Sequence, residues 1–365
     1  MKGFDLKMAG TISPQQRALN FGAMTRQHIQ TLGSQTGTAN DHMIFEVPKA
    51  RLLQAVNLFC KVTLKKGTAS TTTMDSINAK MELYNVIRRF SLDYNNGFAT
   101  QTCSGKELAM LNMLRLNPGA VVPSAFADST LCTVTAPTSS KEDRNNLNLA
   151  SATDVTYYFK LDIPLTLNER DPSGLVLAQN ASTLINFSID IADKVLDIPV
   201  NSVEIIPEIV SFSVPTQPEA FPDMSVLKIV DSRKETFTGG GSNLIKLPVG
   251  MIYRKFVFYL EDDNGNPIKP EDINGNFEIL FNTADIPYSV NPQSLRLRTV
   301  SQCGAGLPDG FYALDLSYQG VPNYGGSRDY IDAEHVTTLE LRFTSQKSGK
   351  ITIITEKISR LIASK

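Results

Sequence analysis

Three histidines and four cysteines are the side chains of this 365-residue chain best suited to metal binding or nucleophilic chemistry, and their spacing favours neither. His28, His42 and His335 are scattered, so a His-rich metal site or a His-based triad has almost no members to draw on. Cys60, Cys103, Cys132 and Cys303 contain no CxxC pair and no disulfide framework, the pattern of reduced thiols in a chain made in a cytoplasm. Cys60 falls in the row Val56, Leu58, Cys60, Val62 and Leu64, where a thiol acts as a small hydrophobe. The run Asp262-Asp263-Asn264-Gly265-Asn266 resembles a calcium loop in composition only. Pro267 stands where such a loop needs glycine and no Glu closes it, so a hairpin turn is expected. Gly239-Gly240-Gly241 lacks a following Lys-Ser or Lys-Thr pair and reads as a mobile loop between strands. With no G-x-S-x-G and no H-E-x-x-H, the expectation is no catalytic residue, no metal and no cofactor.

Charge points instead to contact surfaces. Lys and Arg number 35 against 37 Asp and Glu, which excludes a chain built mainly to neutralise nucleic-acid phosphates, and no sequence-specific nucleic-acid partner is expected. The ends depart from that balance. Residues 1–40 carry Lys2, Lys7, Arg17 and Arg26 against Asp5, and the last sixteen carry Lys350, Lys357, Arg360 and Lys365 against Glu356. Basic arms on a near-neutral body suit an anionic partner such as phospholipid. Residues 1–12 hold no apolar signal core, and no apolar run is long enough to span a bilayer, so neither secretion nor membrane insertion is expected.

The elements that must position these ends are mostly strands. Val155, Tyr157, Phe159, Leu161, Ile163, Leu165 and Leu167 alternate with polar residues or prolines, and a side-chain period of two puts them on one face. Ile185, Phe187, Ile189 and Ile191 repeat the pattern. So do Phe256–Leu260, Phe277–Phe281, Leu295–Arg298 and Leu339–Phe343. Asn96-Gly97, Asn264-Gly265 and Asn274-Gly275 are hairpin signals, because both residue types tolerate positive φ. Two helices are expected. Ser104-Gly105-Lys106-Glu107 is a capping box ahead of Leu108–Leu116, stopped by Asn117-Pro118. Ser13, Pro14 and Gln16 start a second helix that runs to about Leu32, with Ala18, Phe21, Ile29 and Leu32 near one side and His28 on its exposed face. Prolines 199, 207, 215, 218 and 222 mark a divider. The expected organisation is a basic helical arm over residues 1–41, β units over 42–200 and 201–356, and a basic tail over 357–365. Each β unit has the size of an eight-stranded jelly roll, and an internal duplication would account for the pair, although no residue-level repeat is visible.

Several blocks carry a resemblance. They are the helix start Ser13-Pro14-Gln15-Gln16-Arg17-Ala18-Leu19, the strand Tyr157-Tyr158-Phe159 to Ile163-Pro164-Leu165, Gly174 to Gln179, Leu184 to Ile191, and Leu307-Pro308-Asp309-Gly310-Phe311-Tyr312 with Asp315 and Thr337 to Phe343. In order and spacing this set resembles the double-jelly-roll major capsid proteins of tectivirus-like, membrane-containing double-stranded DNA bacteriophages. The resemblance implies two upright eight-stranded jelly rolls per chain, a pseudo-hexagonal homotrimer, and an icosahedral shell made in the host bacterial cytoplasm. It implies contacts with neighbouring trimers and with minor capsid and vertex proteins. It also implies that the N-terminal helix and C-terminal tail face an internal viral membrane. On that reading Lys2, Lys7, Arg17, Phe21 and Arg26 form the membrane-proximal arm, and the compact second half has short outer loops. The rival readings are a virion receptor-binding or vertex β-sandwich protein and a jelly-roll glycan hydrolase or lyase. The absence of Trp, the side chain best suited to stack on sugars, weighs against the last.

Overall fold

The computed structural model describes residues 13–360 apart from 50, 66–76, 96, 116–133, 136–154, 168–171, 178–183, 223, 304–306 and 318–329. Helix α1 (Pro14–Met24) opens the chain, followed by β1 (Gln27–Thr31), β2 (Gln35–Gly37), β3 (His42–Glu46) and the long β4 (Leu52–Leu64). Helix α2 (Ile77–Glu82) leads into the hairpin β5 (Ile87–Tyr94) and β6 (Phe98–Cys103), then helix α3 (Gly105–Arg115). Next come β7 (Val134–Thr135), β8 (Val155–Pro164), β9 (Val176–Leu177), β10 (Ile185–Ile191), β11 (Lys194–Val195) and β12 (Ile198–Phe212). The second half runs β13 (Val226–Phe237), β14 (Ser242–Leu247), β15 (Ile252–Asp262), β16 (Ile273–Phe281) and β17 (Asp285–Val290). Helix α4 (Pro292–Cys303), β18 (Phe311–Asp315), β19 (Ile331–Asp332), β20 (Leu339–Ser345) and β21 (Gly349–Arg360) complete it.

These strands form two sandwiches with the same internal order. In the first, one sheet reads β1-β12-β4-β8 and the other β3-β10-β5-β6; in the second they read β13-β21-β15-β18 and β14-β20-β16-β17. Two jelly rolls therefore stand in tandem. The period-two rows supply their cores: Tyr157, Phe159, Leu161 and Ile163 are buried, as are Ile185, Phe187, Ile189 and Ile191. A second core gathers Phe256, Phe258, Phe277, Tyr312, Leu341 and Phe343.

The duplication extends to register. In β4, Leu53 pairs with Ser211 and Ala55 with Val210, so Gln54 is an extra residue. In β15, Tyr253 pairs with Lys357 and Lys255 with Glu356, leaving Arg254 extra at the matching place. Phe90 opposes Cys103 and Ser91 opposes Thr102, just as Phe277 opposes Val290 and Glu278 opposes Ser289. A helix follows two residues later in both rolls, α3 after Cys103 and α4 after Val290.

Several expectations are corrected. The first helix ends at Met24, not Leu32, because Thr25 turns extended and β1 takes its hydrogen bonds from β12, placing His28 and Ile29 on a strand. The Leu295–Arg298 row is helical. The Asn291 side chain accepts from Gln293 and Ser294 N–H at 3.0 and 3.2 Å, Pro292 fills the first position, and Leu295 and Thr299 are the buried faces. Asn274-Gly275 lies within β16, where Gly275 at φ 80° accompanies a register shift, so it makes an irregularity and no hairpin. Of the Asn96-Gly97 signal, Asn96 lies outside the described residues, while Gly97 N–H donates to Tyr94 O between β5 and β6. Pro199 and Pro207 lie inside β12, which crosses the expected break at residue 200 and carries β1 and β2 from the expected arm. Gly239–Gly241 is a tight turn, with Gly240 N–H donating to Ser345 O and Gly239 pressed against the Gln346–Ser348 backbone. The tail expected from residue 357 begins inside β21, a central strand, where Lys357 is buried on Asp231 at 2.5 Å.

The rolls join at the β6 edge, which pairs in parallel with β13 through Gln101↔Val230 and Thr102↔Asp231 and makes one nine-stranded sheet of two half-sandwiches. Beside this seam the buried Glu356 carboxylate meets Arg254 at 2.9 Å, Lys228 at 3.4 Å and Lys255 at 3.9 Å. Arg254 also donates to Leu167 O at 2.9 Å and Lys228 to Thr166 O at 3.4 Å, both in the first roll. Burial alone would raise the Glu356 pKa, but Lys228, Lys255 and Arg254 overrule it and hold the carboxyl down at about 2. Lys228 is pulled down to about 8, chiefly by burial, with Lys255, Arg115 and Arg254 adding to the effect against the pull of Glu356.

Glu356→Gln takes the shared carboxylate from Arg254 and Lys228, while Lys255 keeps Asp315 at 3.4 Å, and is expected to cost about 3–5 kcal/mol in urea unfolding. A folded value near 2 against an ordinary 4.5 puts this contribution at full strength above pH 4.5 and drains it as pH falls toward 2. The substitution should flatten that acid limb, and an unchanged limb would remove Glu356 as its source.

Candidate assembly surfaces

The expected arm residues divide sharply by environment. Phe21 is buried (5% exposed), its ring edge-on to Phe212 at 5.2 Å, beside Leu52 and Leu175. It anchors α1 to the first roll. Arg17 is half-buried on the same helix, and Arg26 is exposed just beyond it. The backbone there is fixed, since Arg26 N–H donates to Ser213 Oγ and Arg26 O accepts from Ser213 N–H. Lys2 and Lys7 lie outside the described residues. The helix presents Leu19 and Met24 to solvent, and β1 presents Ile29.

The two equivalent helices differ in cover. Helix α3 is clamped between the rolls. Its capping box forms, with Ser104 N–H on Glu107 Oε2 at 2.7 Å, and the same carboxylate accepts from Ser232 Oγ of β13 at 2.6 Å. Lys106 Nζ sits 2.5 Å from Glu82, 3.4 Å from Glu261 and 4.2 Å from the Tyr259 ring centre. Burial opposes its charge, but Tyr259 and the two carboxylates prevail and raise its pKa. Met110, one turn on, is 1% exposed. In α4 the residue at the matching position, Leu297, is 59% exposed, and Gln293, Ser294 and Arg298 are exposed around it. Sequence reasoning missed this surface by reading the segment as a strand; Asn291-Pro292 was the signal that could have found it.

Two small spaces lie among the described residues. The space beside Lys106 holds about 140 Å³ and that beside Glu356 about 20 Å³, against roughly 300 Å³ or more for a small-molecule pocket. Among the described residues, no group of three His, Cys, Asp or Glu side chains is placed to hold a metal. His42 Nδ1 lies 2.5 Å from Asp190 at the start of β3, and His335 is exposed ahead of β20. Cys60 and Cys103 are buried free thiols whose pKa burial raises, Cys303 is half-buried, and Cys132 lies outside the described residues. No helix among the described residues is long and apolar enough to cross a membrane.

The two tandem jelly rolls, joined here through one nine-stranded sheet, have the double-jelly-roll fold seen in viral major capsid proteins. The structure is similar to the major capsid protein of Sulfolobus turreted icosahedral virus, with a TM-score of 0.66 and 14% identity over 92% of this chain and 97% of that one. It is also similar to the capsid protein of the PBCV-1 virus capsid (TM-score 0.62, 9% identity, 92% and 94% covered). The Faustovirus major capsid protein superposes with a TM-score of 0.55 at 9% identity, over 93% and 91% of the two chains. No family model and no curated protein matches the sequence.

Truncating the anchor tests how α1 is held. Phe21→Ala should remove about 3 kcal/mol of local stability and speed proteolytic cleavage within residues 13–26, while the unfolding midpoint of the rolls stays nearly constant. Cleavage at the wild-type rate would assign the anchoring to other contacts.

Proposed function

We propose that this chain is a viral major capsid protein that self-assembles as pseudo-hexagonal homotrimers tiling an icosahedral shell. The observation that carries the reading is architectural: a tandem pair of jelly rolls that matches capsid subunits over more than nine-tenths of both chains. A pair of sandwiches that pairs most of its strands internally suits a shell subunit, because few strand edges are then left open to association. The activity is assembly rather than catalysis.

The setting proposed is a membrane-containing, double-stranded DNA bacteriophage, with minor capsid and vertex proteins as further partners. This part rests on the sequence resemblance and on the arm. Leu19 and Met24 face outward from α1, Arg26 is exposed, and Lys2 and Lys7 precede them. Apolar and cationic side chains on one terminal arm suit an anionic lipid surface, with Phe21 as the point that ties the arm to the body.

Light scattering on the eluting protein should give about three times the 40.1 kDa chain mass, and electron microscopy of the infecting particle should find the chain in hundreds of copies. A monomer at micromolar concentration that also forms no lattice would defeat the reading. For the arm, reversing Lys2, Lys7 and Arg26 to Glu should weaken binding to anionic vesicles at least tenfold, at about 1 kcal/mol per cation near the surface, and leave the trimer intact. Equal vesicle binding would remove lipid as its partner.

A further inference from the structure

The internal seam specifies a second one. Within the chain, β6 of the first roll pairs with β13 of the second, and both belong to the duplicated set. The strand equivalent to β6 is β17, and the strand equivalent to β13 is β1. Among the described strands, β17 pairs with β16 alone and β1 with β12 alone, so each leaves one edge unpaired. Both are mostly exposed, with Ile29 at 61% and Ile286 at 40%. An uncovered edge of this kind is a template for another chain.

We infer that β17 of one copy pairs in parallel with β1 of a second copy, repeating between subunits the seam that joins the rolls within one. The inference rests on the assembly reading above and deepens it. Its register follows from the matched hairpins. Gln101 and Thr102, which pair with Val230 and Asp231, correspond to Tyr288 and Ser289. Val230 and Asp231 face Glu356 and Thr355, as Ile29 and Gln30 face Val210 and Ile209. The predicted partners across the copies are Tyr288 with Ile29 and Ser289 with Gln30.

Helix cover supports the same contact independently. The second roll buries α3 through Ser232, Tyr259 and Glu261. The equivalent helix α4 adjoins β17 and leaves Leu297 open where Met110 is closed. A second copy brought in by its β1 edge would cover it. The contact is head-to-tail, because β17 and β1 are different surfaces, so it propagates until a ring closes.

Paired cysteines test the register. In a Cys132→Ser, Cys303→Ser background, Gln30→Cys with Ser289→Cys places thiols on adjacent strands about 4.8 Å apart, within disulfide reach. Mild oxidation should convert the assembled protein into covalently linked multimers on non-reducing gels. A mixture of the two single variants should give linked pairs, and either single variant alone should stay at one-chain mass. Leu297→Asp should weaken self-association at least tenfold, whereas Ile44→Asp, similarly exposed on the β3 edge, should leave it unchanged. Normal assembly without cross-links, or with Leu297→Asp as strong as wild type, overturns this pairing while the shell reading stands. A persistent monomer overturns both.

Discussion

The Glu356 carboxylate is reached from two strands at once, by Lys228 on β13 and by Arg254 and Lys255 on β15. Two of those cations go on to carbonyls of the first roll, at Thr166 and Leu167. One buried anion thus holds the cations that hold the neighbouring roll. Each charge taken out of water is costly, so the cluster is tolerated only when its partners and geometry are complete. That condition specifies how the sandwiches meet in a way apolar contacts, which tolerate volume-conserving repacking, do not. The β6–β13 pairing and the burial of α3 between the rolls both require that placement.

None of this cluster shows in the sequence. Lys228 and Glu356 are more than a hundred residues apart, and the C-terminal run reads as a basic tail until β21 is seen to lie between β13 and β15. Local patterns fared better where one face alone is buried. The rows from Tyr157 and from Ile185 predict their strands because every second residue enters the core. The capping box at Ser104 predicts α3 because its hydrogen bonds are local. Four alternating residues, Leu295 to Arg298, fit a strand as well as a helix; the Asn291 cap and the i, i+4 pair Leu295 and Thr299 decide the matter. Asn274-Gly275 has hairpin chemistry but is drawn into β16, where long-range pairing with β20 overrides it. The arm was legible as a helix start and opaque at its end, since β12 lies nearly two hundred residues away.

The two rolls match in backbone pairing rather than in side chains, so no repeat is visible residue by residue. What the halves share is positional: an extra residue at Gln54 and Arg254, matched hairpin pairs at Phe90 and Phe277, and a helix two residues after the strand. Such features constrain backbone pairing and the inward face, and many side chains satisfy them. Glu356 corresponds to Val210, Lys255 to Ala55 and Asp315, which meets Lys255 at 3.4 Å, to Pro164, so the charged cluster of one roll has an uncharged counterpart in the other.

That contrast fits the different demands on the internal seam and on the one inferred between copies. Inside one chain, the cost of desolvating Glu356 and its cations is met during folding, when the partners are already tethered at high effective concentration. Between chains the same desolvation would subtract from an association that must also offset lost translational and rotational freedom. An edge carrying Gln27, His28, Ile29, Gln30 and Thr31 adds no buried ion cluster, and Leu297 contributes apolar area. Charges placed there would raise specificity at the expense of affinity. On the assembly reading proposed above, a subunit that joins many copies of itself is better served by a neutral outer edge and a charged inner seam.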